Sequence, residues 1–189
     1  MKILVMTGPP YSGKGTQCEI IAKETDYAHL STGEAIRKEK DEQTELGKLM
    51  SQWQDEGKLV PDEVMEEFVE ELIKQRSDSR GIILDGYPRT VNQVETIIRI
   101  TDKLGHEISQ VINIEVPKEE LLKRALKRAE TSDRIDDQDP QKHIKRIEIF
   151  EEDTKPAISY LNKRIGIETV NGLGKIEEIT VRIKEKLKV

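Results

Sequence analysis

The sequence predicts an α/β protein that is built around a mostly parallel sheet. The first observation is that short apolar runs, each the length of a buried strand, alternate along the chain with longer segments of helical pattern. The second is that the first apolar run ends in a turn rich in glycine and proline, which opens directly into a helix. Strands that alternate with helices form βαβ units, and such units give parallel sheets with right-handed crossovers.

Four segments have the character of strands. Residues 2–7, 81–85 and 110–116 are short apolar runs, and 164–170 is a weaker candidate. Pro117 stands where a first-turn proline belongs, at the start of a segment with one apolar stripe at helical spacing. The predicted helices cover 14–25, 61–75, 90–104, 118–129, 141–163 and 174–187.

Two segments interrupt this alternation and are predicted to be inserts. Residues 31–60 are helical in pattern but include no strand, and 130–140 form a polar loop. The length of 189 residues fits one domain that carries small inserts of this kind.

Composition narrows the class of protein. Hydrophobic residues make up 35% and charged residues 36% of the chain, which is typical of a soluble, helix-rich protein. No apolar run approaches the ~20 residues that span a bilayer, and the amino terminus does not resemble a signal peptide. The single cysteine, Cys18, suits a reducing cytosol, and a net charge of −6 disfavours binding to nucleic acid or anionic membranes. We therefore expect a cytoplasmic protein that binds neither nucleic acid nor membrane.

The turn after the first strand predicts a phosphate-binding loop. Residues 8–14 read Gly-Pro-Pro-Tyr-Ser-Gly-Lys, which is the pattern G-x-x-x-x-G-K between a strand and a helix. Backbone N–H groups of such a loop bind anionic oxygens, the helix N-terminus adds its dipole, and Lys14 supplies a mobile positive charge. Gly15 has no side chain to offer a metal and the hydroxyl comes one place later, at Thr16, so we expect Mg²⁺ to be held mainly through water.

Five motifs, in order along the chain, resemble those of the adenylate kinases, a family of nucleoside monophosphate kinases. They are Gly-Lys-Gly-Thr-Gln at 13–17, His-Leu-Ser-Thr-Gly-Glu at 29–34 with Arg37, Gly-Lys-Leu-Val-Pro at 57–61, Asp-Gly-Tyr-Pro-Arg-Thr at 85–90 with Gln93, and the run from 127 to 137. The resemblance implies a P-loop NTPase fold of three α/β/α layers with a five-stranded parallel sheet. It also implies phosphoryl transfer from Mg-ATP to AMP by a monomer, with an NMP-binding insert at 31–60 and a short lid at 127–137.

The residues that would bind ATP follow from the same resemblance. The loop and the start of its helix would hold the phosphates, Arg128 would reach them from the lid, and backbone near Gly174 would contact the base. The implied ATP-binding residues are Tyr11, Ser12, Gly13, Lys14, Gly15, Thr16, Arg128 and Gly174. Tyr11 departs from the family, which usually has glycine there, and a left-handed backbone at this position would cost tyrosine ~1–2 kcal/mol.

The acceptor site is expected to take AMP. Arg37 and Arg89 would hold its phosphate, because a planar guanidinium can form two parallel hydrogen bonds, and the amide of Gln93 matches the edge of adenine. Pyrimidine monophosphate kinases usually have alanine at the position of Thr32 and asparagine at that of Gln93. The implied AMP-binding residues are Thr32, Arg37, Lys58, Leu59, Val60, Gly86, Tyr87, Pro88, Arg89, Gln93, Arg134 and Arg146.

Catalysis of this reaction needs positioning and electrostatics rather than proton transfer. An AMP phosphate is already ionised at pH 7, so no general base is assigned, and His29, His106 and His143 are interpreted as structural or surface residues. Asp85 would order the water shell of Mg²⁺, and Asp136 and Asp137 would pair with lid arginines. The lid contains no Cys or His, so no zinc is expected. The predicted catalytic cations are Lys14, Arg89, Arg124, Arg128, Arg134 and Arg146.

Three alternatives stay open at this point. One is a UMP/CMP kinase of the same fold, and another is a nucleotide-binding relative without turnover, which only Tyr11 encourages. A P-loop GTPase or motor ATPase is disfavoured by Gly15 and by the acceptor-site residues.

Overall fold

The computed structural model describes residues 1–130, 137 and 139–188. The chain folds around a five-stranded parallel sheet in the order β2-β3-β1-β4-β5. The strands are β1 (Lys2–Thr7), β2 (Ala28–Ser31), β3 (Gly81–Asp85), β4 (Glu107–Glu115) and β5 (Glu168–Asn171). The predicted fold class is therefore confirmed.

Helices connect the strands and cover both faces of the sheet. They are α1 (Lys14–Thr25), α2 (Thr32–Asp41), α3 (Glu45–Asp55), α4 (Asp62–Lys74), α5 (Val91–Leu104), α6 (Lys118–Ala129), α7 (Pro140–Ile149), α8 (Lys155–Arg164) and α9 (Ile176–Lys184). A π-helical turn, Phe150–Thr154, joins α7 to α8. The described helices include none that is long and apolar enough to cross a bilayer.

Strand β1 lies at the centre of the sheet and divides the core in two. Alternate side chains of a strand point to opposite faces, so Ile3 and Val5 pack with residues of α2–α5 and α8. Leu4 and Met6 pack on the other face, with α1 and α9. These two apolar layers make the α/β/α arrangement.

Strand β2 has no counterpart among the segments that the pattern predicts. It is four residues long, lies at the edge of the sheet and buries only Leu30 fully. A strand this short, with a half-exposed face, has too little periodicity to be detected in the sequence. Two boundaries also differ, since β4 begins at Glu107 rather than at 110 and β5 at Glu168 rather than at 164.

The long helix predicted at 141–163 is interrupted by the π-helical turn. Lys155 N–H donates to the carbonyl of Phe150, five residues back. Pro156 follows at once and has no N–H to offer the regular helical ladder. A π-helical turn before a proline re-aims the chain, and here it brings Phe150 and Thr154 to the wall of a cleft.

Candidate functional site

A cleft of about 340 Å³ opens at the carboxyl ends of β1 and β3. It lies between the loop after β1, residues of the segment 31–60 and the helix α7. Ligands of open parallel sheets bind at this edge, where the loops after the strands converge. The predicted site residues that line this cleft are Tyr11, Gly13, Lys14, Gly15, Thr16, Arg37, Lys58, Leu59, Asp85, Gly86, Tyr87, Pro88, Arg89, Arg128 and Arg146.

Lys14 lies beneath the loop that precedes it. Its Nζ donates to the carbonyl oxygens of Gly8, at 2.8 Å, and Pro9, at 2.7 Å. Burial lowers the pKa of Lys14 to about 8, although the negative charge of Asp85 opposes that shift. The amine is therefore held at the floor of the cleft by neutral carbonyls, which leave its positive charge available to an anion.

Tyr11 occupies the loop position that the resemblance assigns to glycine. Its backbone is left-handed, with φ of 66°, which costs an L-residue ~1–2 kcal/mol. The hydroxyl lies 2.6 Å from Nδ1 of His143 and accepts from Arg146 at 3.1 Å. The side chain therefore connects the phosphate-binding loop to α7.

Asp85 ends β3 next to two other potential ligands. Its Oδ2 lies 3.4 Å from Nε2 of His29, and these atoms and the sulfur of Cys18 all lie within 4.8 Å of one another. Burial by itself would lower the pKa of His29, but the nearby carboxylate of Asp85 outweighs it and raises that pKa. Burial raises the pKa of the Cys18 thiol. Of the three, the Asp85 carboxylate is the ligand that faces the cleft.

Arg89 and Gln93 belong to one hydrogen-bonded corner of the cleft. Arg89 donates through Nε to the carbonyl of Gly86, at 2.6 Å, and through its backbone N–H to Oε1 of Gln93, at 2.8 Å. Gln93 is buried, and its amide donates to Asp62 at 2.8 Å. Thr32 donates to the carbonyl of Asp85 at 3.3 Å. Thr32, Val60 and Gln93 line a second cavity of about 30 Å³ beside the cleft.

The arginines of α6 and α7 differ in what they contact. Asp137, fully buried, accepts from Arg128 at 2.7 Å and from Arg146 at 3.0 Å, which is the kind of pairing that the resemblance implied for it. Arg124 lies outside the cleft lining and donates to the carbonyls of Ser12, at 3.3 Å, and Gly172, at 2.8 Å. In this structure Arg124 supports the backbone of two loops.

Gly174 also lies away from the cleft lining, in the turn between β5 and α9. Arg124 ties this region to the phosphate-binding loop, since it donates to Gly172 as well as to Ser12. A hydrogen bond of 3.0 Å from the Gln17 amide to the carbonyl of Ile176 ties the region to α1. Ser12, a member of the loop, is buried and does not line the cleft. Arg134, Asp136 and most of the predicted lid at 127–137 lie outside the described residues.

The pattern of the sequence did not point to several residues at the site. His143, interpreted as structural or surface, is buried against Tyr11 with the two rings edge to face at 5.2 Å. Asp62 holds Gln93 from 31 positions away. The remaining unpredicted members of the lining include Gln54, Ile149, Phe150 and Thr154. No local motif marks these residues, because tertiary contacts alone bring them to the cleft.

Comparison with known proteins agrees with this geometry. The family model described as adenylate kinase matches residues 6–165. The chain is 38% identical to an adenylate kinase of Flavobacterium psychrophilum over 182 residues, which cover 96% of each chain. It is 39% identical to an adenylate kinase of Flavobacterium johnsoniae over 180 residues, 95% of each chain.

A third relative differs in length. The chain is 36% identical to an adenylate kinase of Caldanaerobacter subterraneus over 211 aligned positions, which cover 97% of this chain and 95% of the relative. That alignment is longer than the chain itself, so the relative carries residues that this chain lacks.

Proposed function

The chain belongs to the adenylate kinase family, and from this premise we propose that it catalyses the reversible transfer of a phosphoryl group from Mg-ATP to AMP, giving two ADP. Members of the family are phosphotransferases that bind ATP and AMP. One observation carries the proposal: cations from separate parts of the chain meet at one cleft. They include Lys14, Arg37 and Arg89, together with Arg128 of α6 and Arg146 of α7.

Such a cluster suits phosphoryl transfer. The transition state is loose and spreads negative charge over the oxygens of the moving group, so fixed cations lower its free energy. Lys14 faces the part of the cleft formed by the phosphate-binding loop, and Arg89 faces the part formed by the 31–60 insert. We assign Lys14 and Arg128 to the phosphates of ATP, and Arg37 and Arg89 to the phosphate of AMP. Arg146 is assigned to the phosphate of AMP and to the moving group.

The remaining assignments divide between the two nucleotides. Backbone and side chains of residues 11–16 would hold the ATP phosphates, and the turn at Gly174 its base. Thr32, Gln93 and the segment 58–60 would hold the base and ribose of AMP, with residues 86–88 beneath them. Arg134 completes the proposed catalytic set. Arg124 would act as a positioning residue, through the loop carbonyls to which it donates.

The donor set at Asp85 fits Mg²⁺. Mg²⁺ prefers hard oxygen ligands and keeps several waters, and a carboxylate at the cleft supplies such a ligand. A Cβ added at Gly15 would lie 3.8 Å from Oδ2 of Asp85, so the absence of a side chain leaves room for water beside the carboxylate. When bound, Mg²⁺ would neutralise phosphate charge, while Asp85 would orient the waters around it.

The chain is proposed to act as one core with two movable parts, the insert at 31–60 and the lid at 127–137. Lys145 of α7 donates to the carbonyl of Glu56 at 2.9 Å, so the insert and α7 already touch across the cleft. Closure of such parts excludes water, which would otherwise accept the phosphoryl group. We propose that the protein works as a cytoplasmic monomer.

A coupled assay with Mg-ATP and each of AMP, UMP, CMP, GMP and dTMP tests the proposed acceptor. We expect AMP to give the highest kcat/KM. A UMP or CMP value about tenfold above that of AMP, equivalent to ~1.4 kcal/mol in favour of the pyrimidine, would replace the proposal with a UMP/CMP kinase. Binding of a dinucleotide that spans both sites, without any ADP formation, would instead indicate a relative without turnover.

The role of Arg89 is tested by Arg89→Ala. Loss of one donor to the developing charge should lower kcat/KM for AMP by about 10²–10³-fold, while the fold survives. Arg99→Ala is the matched control, because Arg99 pairs with Glu66 on an exposed face of α5. Turnover of Arg89→Ala close to that of the control would refute the assignment.

A further inference from the structure

We propose that Tyr11 is a positioning residue whose hydroxyl, backed by His143, fixes the guanidinium of Arg146 at the phosphate cleft. The inference rests on the proposed function, since it takes Arg146 to act on the transferred phosphoryl group. It assigns a role to a residue that departs from the usual glycine of the family, and to a histidine for which neither the motifs nor the mechanism has a use.

The hydrogen-bond donors and acceptors define the direction of this network. A guanidinium can only donate, so the hydroxyl of Tyr11 accepts from Nη1 of Arg146 at 3.1 Å. The hydroxyl proton is then free to go to Nδ1 of His143, 2.6 Å away. With the hydroxyl proton directed to Nδ1, the proposed network requires the ring proton of the neutral histidine to lie on Nε2.

Contacts on two sides orient Arg146. The same nitrogen that donates to Tyr11 also donates to Oδ1 of the buried Asp137, at 3.0 Å. Asp137 accepts from Arg128 as well, at 2.7 Å. One guanidinium nitrogen is thus held between the phosphate-binding loop and the carboxylate that joins α6 to α7. Donors that are fixed before the reaction need no reorganisation when charge develops.

His143 gives the tyrosine a firm support. It is 2% exposed, and its ring meets that of Tyr11 edge to face, with centroids 5.2 Å apart and planes at 79°. Its Nε2 is buried and finds no hydrogen-bond partner among the described residues. Within the described part of the chain, the hydrogen bonding of the imidazole is therefore confined to its Tyr11 side.

The backbone conformation of Tyr11 supports the same role. A left-handed tyrosine, with φ of 66°, is unfavourable and persists only where the surrounding structure compensates. The compensation here is a hydroxyl that reaches α7 across a sequence separation of 132 residues. Glycine would remove the backbone strain but would leave Arg146 without this contact.

The test removes the hydroxyl and keeps the ring. Tyr11→Phe should lower kcat by about tenfold, the value of one hydrogen bond to a charged group, with the KM values for ATP and AMP changed by less than about twofold. In an Arg146→Ala background the same substitution should change kcat by less than about twofold, because coupled residues are not additive. Tyr160→Phe, which removes a surface hydroxyl bound to Glu95, should have no effect on kcat.

Two results would overturn the proposal. One is a Tyr11→Phe enzyme with the kcat of the wild type, and the other is an undiminished tenfold loss in the Arg146→Ala background, which would mean that Tyr11 acts on something else. The proposal is also overturned if Tyr11→Phe lowers the melting temperature as well as kcat and its effect on kcat does not depend on Arg146.

A second measurement does not need turnover. In nitrogen-15 spectra of the histidine ring at mildly alkaline pH, the wild type should show the Nε2–H tautomer of His143, and Tyr11→Phe should lose that preference. An Nδ1–H tautomer in the wild type contradicts the network even in a fully active enzyme. Failure of the proposed function is distinguished from failure of this network, because in the first case the wild type would form no ADP.

Discussion

Lys14 shows how a single side chain stores electrostatic free energy in the folded state. Its amine is surrounded by loop carbonyls instead of water, and this burial brings its pKa from 10.5 down to about 8. A lowered pKa means that the fold disfavours the charged form. An arriving polyphosphate would reverse that balance, so part of the attraction between Lys14 and ATP is set up before binding.

The sign of this shift predicts how stability depends on pH. Between about pH 8 and pH 10.5 the unfolded chain keeps a proton on Lys14 that the folded chain has lost, so stability of the wild type rises with pH in this window. Lys14→Met lacks this contribution. We expect the free energy of unfolding of the wild type, relative to Lys14→Met, to increase as pH rises through that window.

Urea unfolding of the two proteins at pH values on either side of 8 measures this difference, since all other titrating groups are shared. A difference that stays constant with pH, or that falls as pH rises, would show that Lys14 has no lowered pKa.

At the scale of elements, the phosphate-binding loop is shaped by the strand beside it. Gly8 has φ of 137°, and a Cβ at this position would lie 2.5 Å from the carbonyl oxygen of Ile114 in β4. The loop therefore passes against the backbone of β4, and only glycine allows that approach. The shape of the phosphate-binding loop therefore depends on the pairing of β1 with β4 as much as on the sequence of the loop.

Gly8→Ala should consequently destabilise the fold more than a typical substitution of glycine. The clash with backbone adds ~1–3 kcal/mol of overpacking to the ~1–2 kcal/mol that a positive φ costs alanine. Gly105→Ala is the control, because Gly105 ends α5 with φ of 67° and has open space around its Cβ. Denaturant unfolding should show a larger loss of stability for Gly8→Ala than for Gly105→Ala. Equal losses would mean that the loop does not pack tightly against β4.

Another element, the π-helical turn at Phe150–Thr154, shapes the opposite wall of the cleft. A regular α-helix through these residues would follow from the sequence pattern at 141–163. The extra residue in the turn offsets the register of α8 from that of α7. Phe150 and Thr154 thereby face the cleft, while Ala157 and Leu161 of α8 still pack in the core.

For the whole molecule, the two proposed nucleotide sites are two parts of one cleft. Ligand that binds the folded state alone stabilises it by mass action, ~2.7 kcal/mol at one hundred times its Kd. A dinucleotide with a polyphosphate bridge engages both halves at once, and the second contact is then intramolecular. The cations that line both parts of the cleft should act on such a ligand together.

Thermal unfolding at equal ligand concentrations tests this view. We expect the dinucleotide to raise the melting temperature more than ATP or AMP alone, and more than the two together. Arg89→Ala should reduce the gain from the dinucleotide and from AMP but leave that from ATP nearly unchanged. A dinucleotide effect no larger than that of ATP would show that the acceptor half of the cleft does not bind it.

Much of this protein was accessible from the sequence. Five motifs identified the family, which the comparisons confirm, and hydrophobic periodicity predicted the helices to within two or three residues at most boundaries. The edge strand β2 and the π-helical turn were missed, since the first is too short to show a period and the second depends on Pro156 within a helical pattern.

The sequence by itself determined the class of chemistry. A glycine loop with Lys14 and an aspartate at the end of a buried strand are local patterns, and the groups that bind phosphate and metal are part of the patterns themselves. Only the tertiary structure decided which side chains meet. The pairing of Tyr11 with His143 spans 132 residues, and that of Gln93 with Asp62 spans 31. Contacts of this range are set by how the sheet brings its loops together at one edge, and no local sequence pattern encodes that distance.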